Sequence, residues 1–147
     1  MDIRRATPAD LDLVAPLFDA YRQFYDLPAD LDLCRVYMHD RLTSGDSVVF
    51  LATDDSQPLG FAQLYPTLDS LSLRPYAILS DLYVAPTARR LGAGKQLLRR
   101  ARQFAEETGA VRLELQTARA NVAAQTLYES LGWCRDDMFL VYTWRCS

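Results

Sequence analysis

Leu11, Val14, Leu17, Phe18, Tyr21 and Phe24 or Tyr25 recur at helical spacing, and the pattern predicts a helix with an apolar inner face. Its start is punctuated by Thr7 as N-cap, Pro8 at the first helical position and Asp10 in the first turn. Leu27-Pro28 breaks the pattern. Asp30 then caps a second helix carrying Leu31, Cys34, Val36 or Tyr37, Met38 and Leu42, which Ser44-Gly45-Asp46 ends. Ahead of both, Ile3 to Ala6 has the length of an opening strand.

The period then changes. Ser47 to Thr53 is apolar and β-branched enough for a strand, Asp54 to Pro58 is a polar turn, and Leu59 to Tyr65 returns, so the pair is predicted as an antiparallel hairpin. Pro66 to Pro75 mixes Pro, Thr, Ser and Asp among leucines and is predicted as a looser connection over an edge or a binding surface. Tyr76 to Val84 is a strand stopped by Ala85-Pro86. Thr87 to Glu107 has helical leucine and alanine spacing, closed by Thr108-Gly109. Val111 to Thr117 alternates as a strand, Asn121 to Leu131 is a short helix ended by Gly132, and Met138 to Arg145 is a last strand, apolar on both faces. The order along the chain is β-α-α-β-β-β-α-β-α-β, with room for one more strand: a mixed α/β domain with a central sheet covered by helices.

With 147 residues, half of them hydrophobic, the chain fits one domain, residues 1–147. No apolar run approaches the roughly 20 residues of a membrane-spanning helix, and no signal-peptide pattern follows Met1, so a cytoplasmic protein with no membrane partner is expected. The three cysteines, Cys34, Cys134 and Cys146, lie far apart, and His39 is the single histidine, so neither a metal site nor a Ser/His/Asp triad is expected. A net charge of −3 disfavours wrapping nucleic acid. The charges are nonetheless uneven. Arg89, Arg90, Lys95, Arg99, Arg100 and Arg102 cluster in one stretch while Asp10, Asp12, Asp19, Asp26, Asp30 and Asp32 crowd the first third, which suggests an anionic ligand in one place and a cationic one in another.

The basic stretch contains "ARRLGAGKQLL", Ala88 to Leu98. A nucleotide-triphosphate loop would need Gly where Arg89 stands and Ser or Thr where Gln96 stands. A dinucleotide fingerprint would need glycine where Leu97 stands. What survives is Arg-x-x-Gly-x-Gly at a strand-to-helix junction, where backbone N–H groups and the helix dipole converge on an anion. "LSDLYVAPTARRLGAGKQLL" resembles the acetyl-coenzyme A motif of the GCN5-related N-acetyltransferase (GNAT) superfamily, a hydrophobic strand, Val-x-Pro, then Arg/Gln-x-x-Gly-x-Gly/Ala. "NVAAQTLYESLGW" resembles that family's Asn-x-x-Ala-x-x-Leu/Phe-Tyr-x-x-x-Gly-Phe, with Trp133 in the Phe place. The element order extends the likeness from Ile3 to about Arg145.

The resemblance implies a GNAT-like fold, a mostly antiparallel central sheet with about four helices, and acetyl-CoA as co-substrate. Leu82, Tyr83 and Val84 would lend backbone groups to the pantetheine arm, bound like an added strand. Arg89, Arg90, Leu91, Gly92, Ala93, Gly94 and Lys95 would surround the pyrophosphate. Asn121 and Ala124 would line the sulfur end, and Tyr128 would turn its hydroxyl to the thioester sulfur. Attack of an amine on a thioester builds negative charge on the carbonyl oxygen, which a backbone N–H of the Leu82 to Val84 strand can stabilise. The leaving thiolate needs a proton, for which the Tyr128 phenol is the candidate donor. The general base is left to Asp81 or a water chain. Ser80 stands where some polyamine-acetylating relatives carry an acid, and strand alternation would put Ser80 and Asp81 on opposite faces, so at most one lines the site.

Tyr21, Tyr25 and Asp26 lie where relatives recognise the acceptor, and Ser80 and Glu114 join them as candidate substrate-binding residues; the structural alternative is an aromatic core face with exposed capping acids. The acidic first third favours a small cationic amine, a polyamine or an amino-acid derivative as acceptor. A protein or peptide acceptor is the enzymatic alternative, and a non-catalytic acyl-CoA-binding regulatory domain is the alternative of another class. The last strand would be central to the sheet or meet a second copy in a homodimer.

Overall fold

The computed structural model describes residues 1–147, which divide into two compact units, Met1–Gln116 and Thr117–Ser147. The first contains a five-stranded sheet in the order β1-β2-β3-β4-β5: β1 (Asp2–Arg5), β2 (Val48–Asp54), β3 (Gln57–Asp69), β4 (Arg74–Val84) and β5 (Leu113–Glu114). β1 to β4 pair antiparallel and β5 joins β4 in parallel.

Helices α1 (Leu11–Phe24) and α2 (Leu31–Ser44) cover one face of the sheet. Val14, Leu17 and Met38 pack there with Val49, Leu51, Phe61 and Tyr83. The other face belongs to α3 (Ala93–Glu107), whose buried Leu97, Leu98, Ala101 and Ala105 form one stripe and whose Phe104 ring meets Phe50 at 6.0 Å. Fully burying a side chain such as Phe50, Phe61 or Leu51 stabilises by about 1.5–3 kcal/mol, so the alternation along β2 and β3 fixes which face each residue takes.

The start of α1 shows how the sequence sets an element's place. Thr7 N–H donates to the Asp10 carboxylate at 2.8 Å, and Arg4 grips the same carboxylate through two bonds of 2.7 Å, tying β1 to the helix entrance. The Arg4 guanidinium holds the Asp10 carboxyl down to about 2, from 3.8. A depressed carboxylate contributes stability that is present above its unfolded value and lost as pH falls toward its folded one. Asp10→Asn is therefore expected to cost about 1–2 kcal/mol at neutral pH, with the gap to wild type closing between roughly pH 4 and pH 2 in thermal melts.

Three strand predictions change. The Pro66 to Pro75 stretch is mostly strand, since β3 runs to Asp69 and β4 begins at Arg74, with a turn between. β2 ends its pairing opposite Leu64, so beyond that point β3 is laddered only to β4, and Pro66 sits where one side of the strand needs no N–H. Of Val111 to Thr117 only Leu113–Glu114 is laddered, because β4 pairs with it at Ala77 and Ile78 alone. Met138 to Arg145 is not a strand: it is laddered to no other strand, and its apolar residues, Met138 to Tyr142 and Trp144, are exposed, so neither pairing nor burial holds the apolar run in a sheet.

The second unit holds one helix, α4 (Val122–Ser130). Asn121 caps it, its Oδ1 accepting from Ala124 N–H at 3.2 Å. Gly132, in the left-handed region at φ 89°, lies just past its end.

Candidate active site

One residue out of register shapes the centre of the first unit. Gln63 pairs with Asp81 and Leu64 with Leu79, so Ser80 is an extra residue in β4, a bulge. The alternation expected across Ser80 and Asp81 is interrupted there. Leu79 stays on the α3 side with Leu64, while Asp81 turns to the α1–α2 side with Gln63 and Tyr83. Two residues before the bulge, β4 makes its last pair with β5, Ile78 with Glu114. The strands then diverge, opening a cleft of about 240 Å³ lined by Ile78, Leu79, Ser80, Glu114, Leu115 and Gln116. Ser80 and Glu114, both candidates from the sequence, meet at this cleft. The Glu114 carboxylate is engaged by Arg112 at 2.7 Å, which also holds Asp69 at 2.6 Å.

Beyond Ile78 the outer edge of β4 has no strand beside it in this unit, which leaves the Leu82–Val84 backbone with an open side. On the inner side β3 lies very close. A methyl group at Gly60 would overlap the Tyr83 carbonyl oxygen, so the absence of a side chain is what lets the strands approach.

Asp81 gathers the polar groups of the α1–α2 side. Gln63 Nε2 donates to its Oδ2 at 2.9 Å, and Ser47 Oγ donates to Gln63 Oε1 at 2.9 Å. Burial pushes the Asp81 carboxyl up; hydrogen bonds from Gln63, Tyr21 and Ser80 oppose it, and burial wins. The Tyr21 hydroxyl also reaches the Ser80 carbonyl at 3.5 Å. Around them lies an aromatic wall. Tyr21 packs on Phe61, Tyr25 and Tyr83, Phe18 stacks on Tyr37, and the hydroxyls of Tyr37 and Tyr65 meet at 2.6 Å. Burial first, then the Tyr37 hydrogen bond, pushes the Tyr65 hydroxyl up, keeping it protonated.

Of the acceptor-side candidates, Tyr21 and Tyr25 join this wall. Asp26 is exposed in the turn after α1, at φ 62°, with its N–H on Gln23. Gln63, Ser47, Tyr37 and Tyr65 escaped sequence reasoning. The signal for Gln63 was available: a lone amide in the apolar run Leu59 to Tyr65 must find a partner when buried.

The basic loop has the backbone an anion needs. Arg90 at φ 72° and Gly92 at φ 83° are both left-handed, and the first helical bond is Gln96 N–H to Gly92 O at 3.0 Å. The amides of Ala93, Gly94 and Lys95 therefore precede the helical ladder at its positive end. Arg90 pays for a conformation that non-glycine residues avoid, a kind of strain that collects at binding sites. Arg89 Nε donates to the Val84 carbonyl at 3.3 Å, and its guanidinium lies 5.7 Å from the Phe24 ring centre, pinning the loop to the end of β4. Leu91 is exposed and Ala93 buried.

In the second unit Asn121 and Ala124 are joined by the cap, and the Tyr128 ring lies 6.0 Å from that of Trp133. Both residues of that aromatic pair are half-buried.

No helix is long and apolar enough to cross a membrane. The chain matches the family model of the Acetyltransferase (GNAT) family over residues 13–133. It is 42% identical over 142 residues to the uncharacterised N-acetyltransferase YhfO of Bacillus subtilis (strain 168), covering 97% of this chain and 95% of the relative. A probable acetyltransferase of Haemophilus influenzae is 29% identical over 119 residues, covering 80% of this chain and 82% of the relative. Among solved structures, the crystal structure of a probable acetyltransferase matches with a TM-score of 0.95 at 44% identity, over 100% of this chain and 99% of that one. With this likeness running nearly end to end over a bulged fourth strand and a left-handed loop before α3, the chain belongs to the GNAT family of acetyltransferases and is an acyltransferase.

Proposed function

We propose that the chain moves an acetyl group from acetyl-CoA directly to a primary amine, and that the acceptor is a small cationic amine, a polyamine or an amino-acid derivative. The observation that carries this reading is Asp81, a carboxylate raised by burial and set between Tyr21 and Tyr65 with no cation bonded to it. Aromatic faces and a carboxylate together suit an ammonium group, and a raised carboxylate suits the removal of its proton.

The residues fit acetyl-CoA. The open edge of Leu82–Val84 can take an extended arm as an added strand, and the amides from Arg90 to Lys95 can take a pyrophosphate. When bound, acetyl-CoA supplies the activated acyl carbon. The C–N bond forms as the C–S bond breaks; Asp81, directly or through water, takes the amine proton, β4 amides stabilise the oxygen that gains charge, and Tyr128 protonates the departing sulfur. Asn121, Ala124 and Tyr128 line the sulfur end, while Tyr21, Tyr25, Asp26, Ser80 and Glu114 face the acceptor. Residues 1–147 act as one catalytic domain, a reading supported by a family match that continues past Gln116. The three unpaired cysteines suit the cytoplasm, and the exposed apolar residues of Met138 to Tyr142 suit a homodimer.

The test is thiol release from acetyl-CoA against polyamines, amino acids, aminoglycosides and short peptides, beside the melting temperature with and without acetyl-CoA. Turnover with a small cationic amine and a raised melting temperature are expected. Turnover with peptides alone would replace the acceptor assignment. A raised melting temperature with no turnover would favour an acyl-CoA-binding regulatory domain.

A further inference from the structure

Gln63 is fully buried in the middle of β3, and its amide spans two polar groups from different strands' ends: Ser47, just before β2, and Asp81 in β4. An ionised carboxylate can only accept, so it fixes the amide with Nε2 toward Asp81. That leaves Oε1 facing the other way, where only a donor satisfies it. Ser47, itself buried, supplies the hydroxyl. The opposite orientation would set the amide oxygen against the carboxylate oxygens.

We propose that Gln63 is a positioning residue for Asp81, and that the Ser47–Gln63 pair sets the pH at which Asp81 is free to act as a base. This rests on the assignment of Asp81 as the base. An N–H donated to a carboxylate favours its charged form, in opposition to burial, and the donation is firmest when the amide's other end is held. The remaining groups facing Asp81 are the Tyr21 hydroxyl from α1, the Ser80 hydroxyl from β4, and Tyr65 from β3, with Tyr37 and Arg41 of α2 behind it. Arg41 pairs with Asp46 at 2.8 Å, and of the hydrogen bonds that hold Asp81 down against burial that of Gln63 comes first, ahead of those of Tyr21 and Ser80.

The experiment has two readouts on wild type, Gln63→Leu, Gln63→Glu and Ser47→Ala. One is the titration of the Asp81 carboxyl carbon by NMR in the substrate-free, carbon-13-labelled protein, its signal assigned by its loss in Asp81→Asn. The other is the acid limb of kcat/KM. In Gln63→Leu the carboxyl titration is expected to move up by about one unit, and the acid limb with it, with the high-pH plateau kept within a few-fold. Gln63→Glu, nearly the same shape, should move both further through like-charge repulsion, and Ser47→Ala should move both in the same direction by less. A carboxyl titration that stays at the wild-type pH in the Gln63 variants overturns the proposal. Gln63→Glu and Ser47→Ala carry this test if Gln63→Leu does not fold. A carboxyl titration that moves while the acid limb stays put overturns the assignment of Asp81 as the base and leaves the positioning contact standing.

Discussion

Asp81→Asn is expected to lower kcat/KM about 10²- to 10⁴-fold, the range a positioned general base contributes, without loosening the fold. The amide keeps an oxygen for Gln63 Nε2 to donate to, so the contact at 2.9 Å survives. Stability should even improve on one side of the pH scale. A carboxyl raised by folding binds its proton more tightly in the native state, so its contribution is fully present below the ordinary value of 3.8 and is lost as pH rises through the raised one. Asparagine carries no such penalty. The melting temperature of the variant minus that of wild type should therefore grow as pH rises above 3.8 through the raised value, while the loss of activity is greatest above the acid limb and shrinks below it. Unchanged activity would move the proton to a water chain. Activity and melting temperature falling together would make Asp81 a structural residue.

Tyr128→Phe is expected to lower kcat by about 10²-fold or more, as loss of a general acid does, and to leave coenzyme A binding near wild type. The backbone finishes α4: Leu131 and Trp133 donate their N–H groups to the Tyr128 carbonyl at 3.0 and 3.1 Å, and the ring lies 6.0 Å from that of Trp133. Calorimetric binding of coenzyme A separates the two effects. A variant that binds tenfold more weakly and turns over normally when saturated would make Tyr128 a binding residue with no part in proton transfer.

What the sequence made legible was what depends on neighbours along the chain. The Thr7-Pro8-Asp10 entrance, the Asp30 cap and the hairpin of β2 and β3 all follow from local rules and all stand in the structure, whereas the helix expected from Thr87 begins only at Ala93, after the left-handed Gly92. The GNAT likeness was legible for the same reason, because both motifs are short and contiguous. Harder to see was anything decided across the sheet. Pro66 discouraged a strand, yet the pairing it forgoes lies on a side with no partner. The apolar run Met138 to Tyr142 has the composition of a strand and no ladder. The Asp81 site needed three separate stretches, Ser47, Gln63 and the bulge at Ser80, and the bulge is visible only when two strands are counted against each other.

Replacing Ser80 changes a side chain, whereas removing it changes arithmetic: Leu79 and Asp81 would become neighbours on a regular strand, still pointing to their present sides and still opposite Leu64 and Gln63. The ladder would be satisfied and the core undisturbed, but the bend that a bulge imposes would be gone, and with it the reason for β4 to leave β5 after Ile78. The cleft between Ile78 and Gln116 is thus held open by the number of residues in a strand, and deleting Ser80 is expected to narrow it where substituting Ser80 is not.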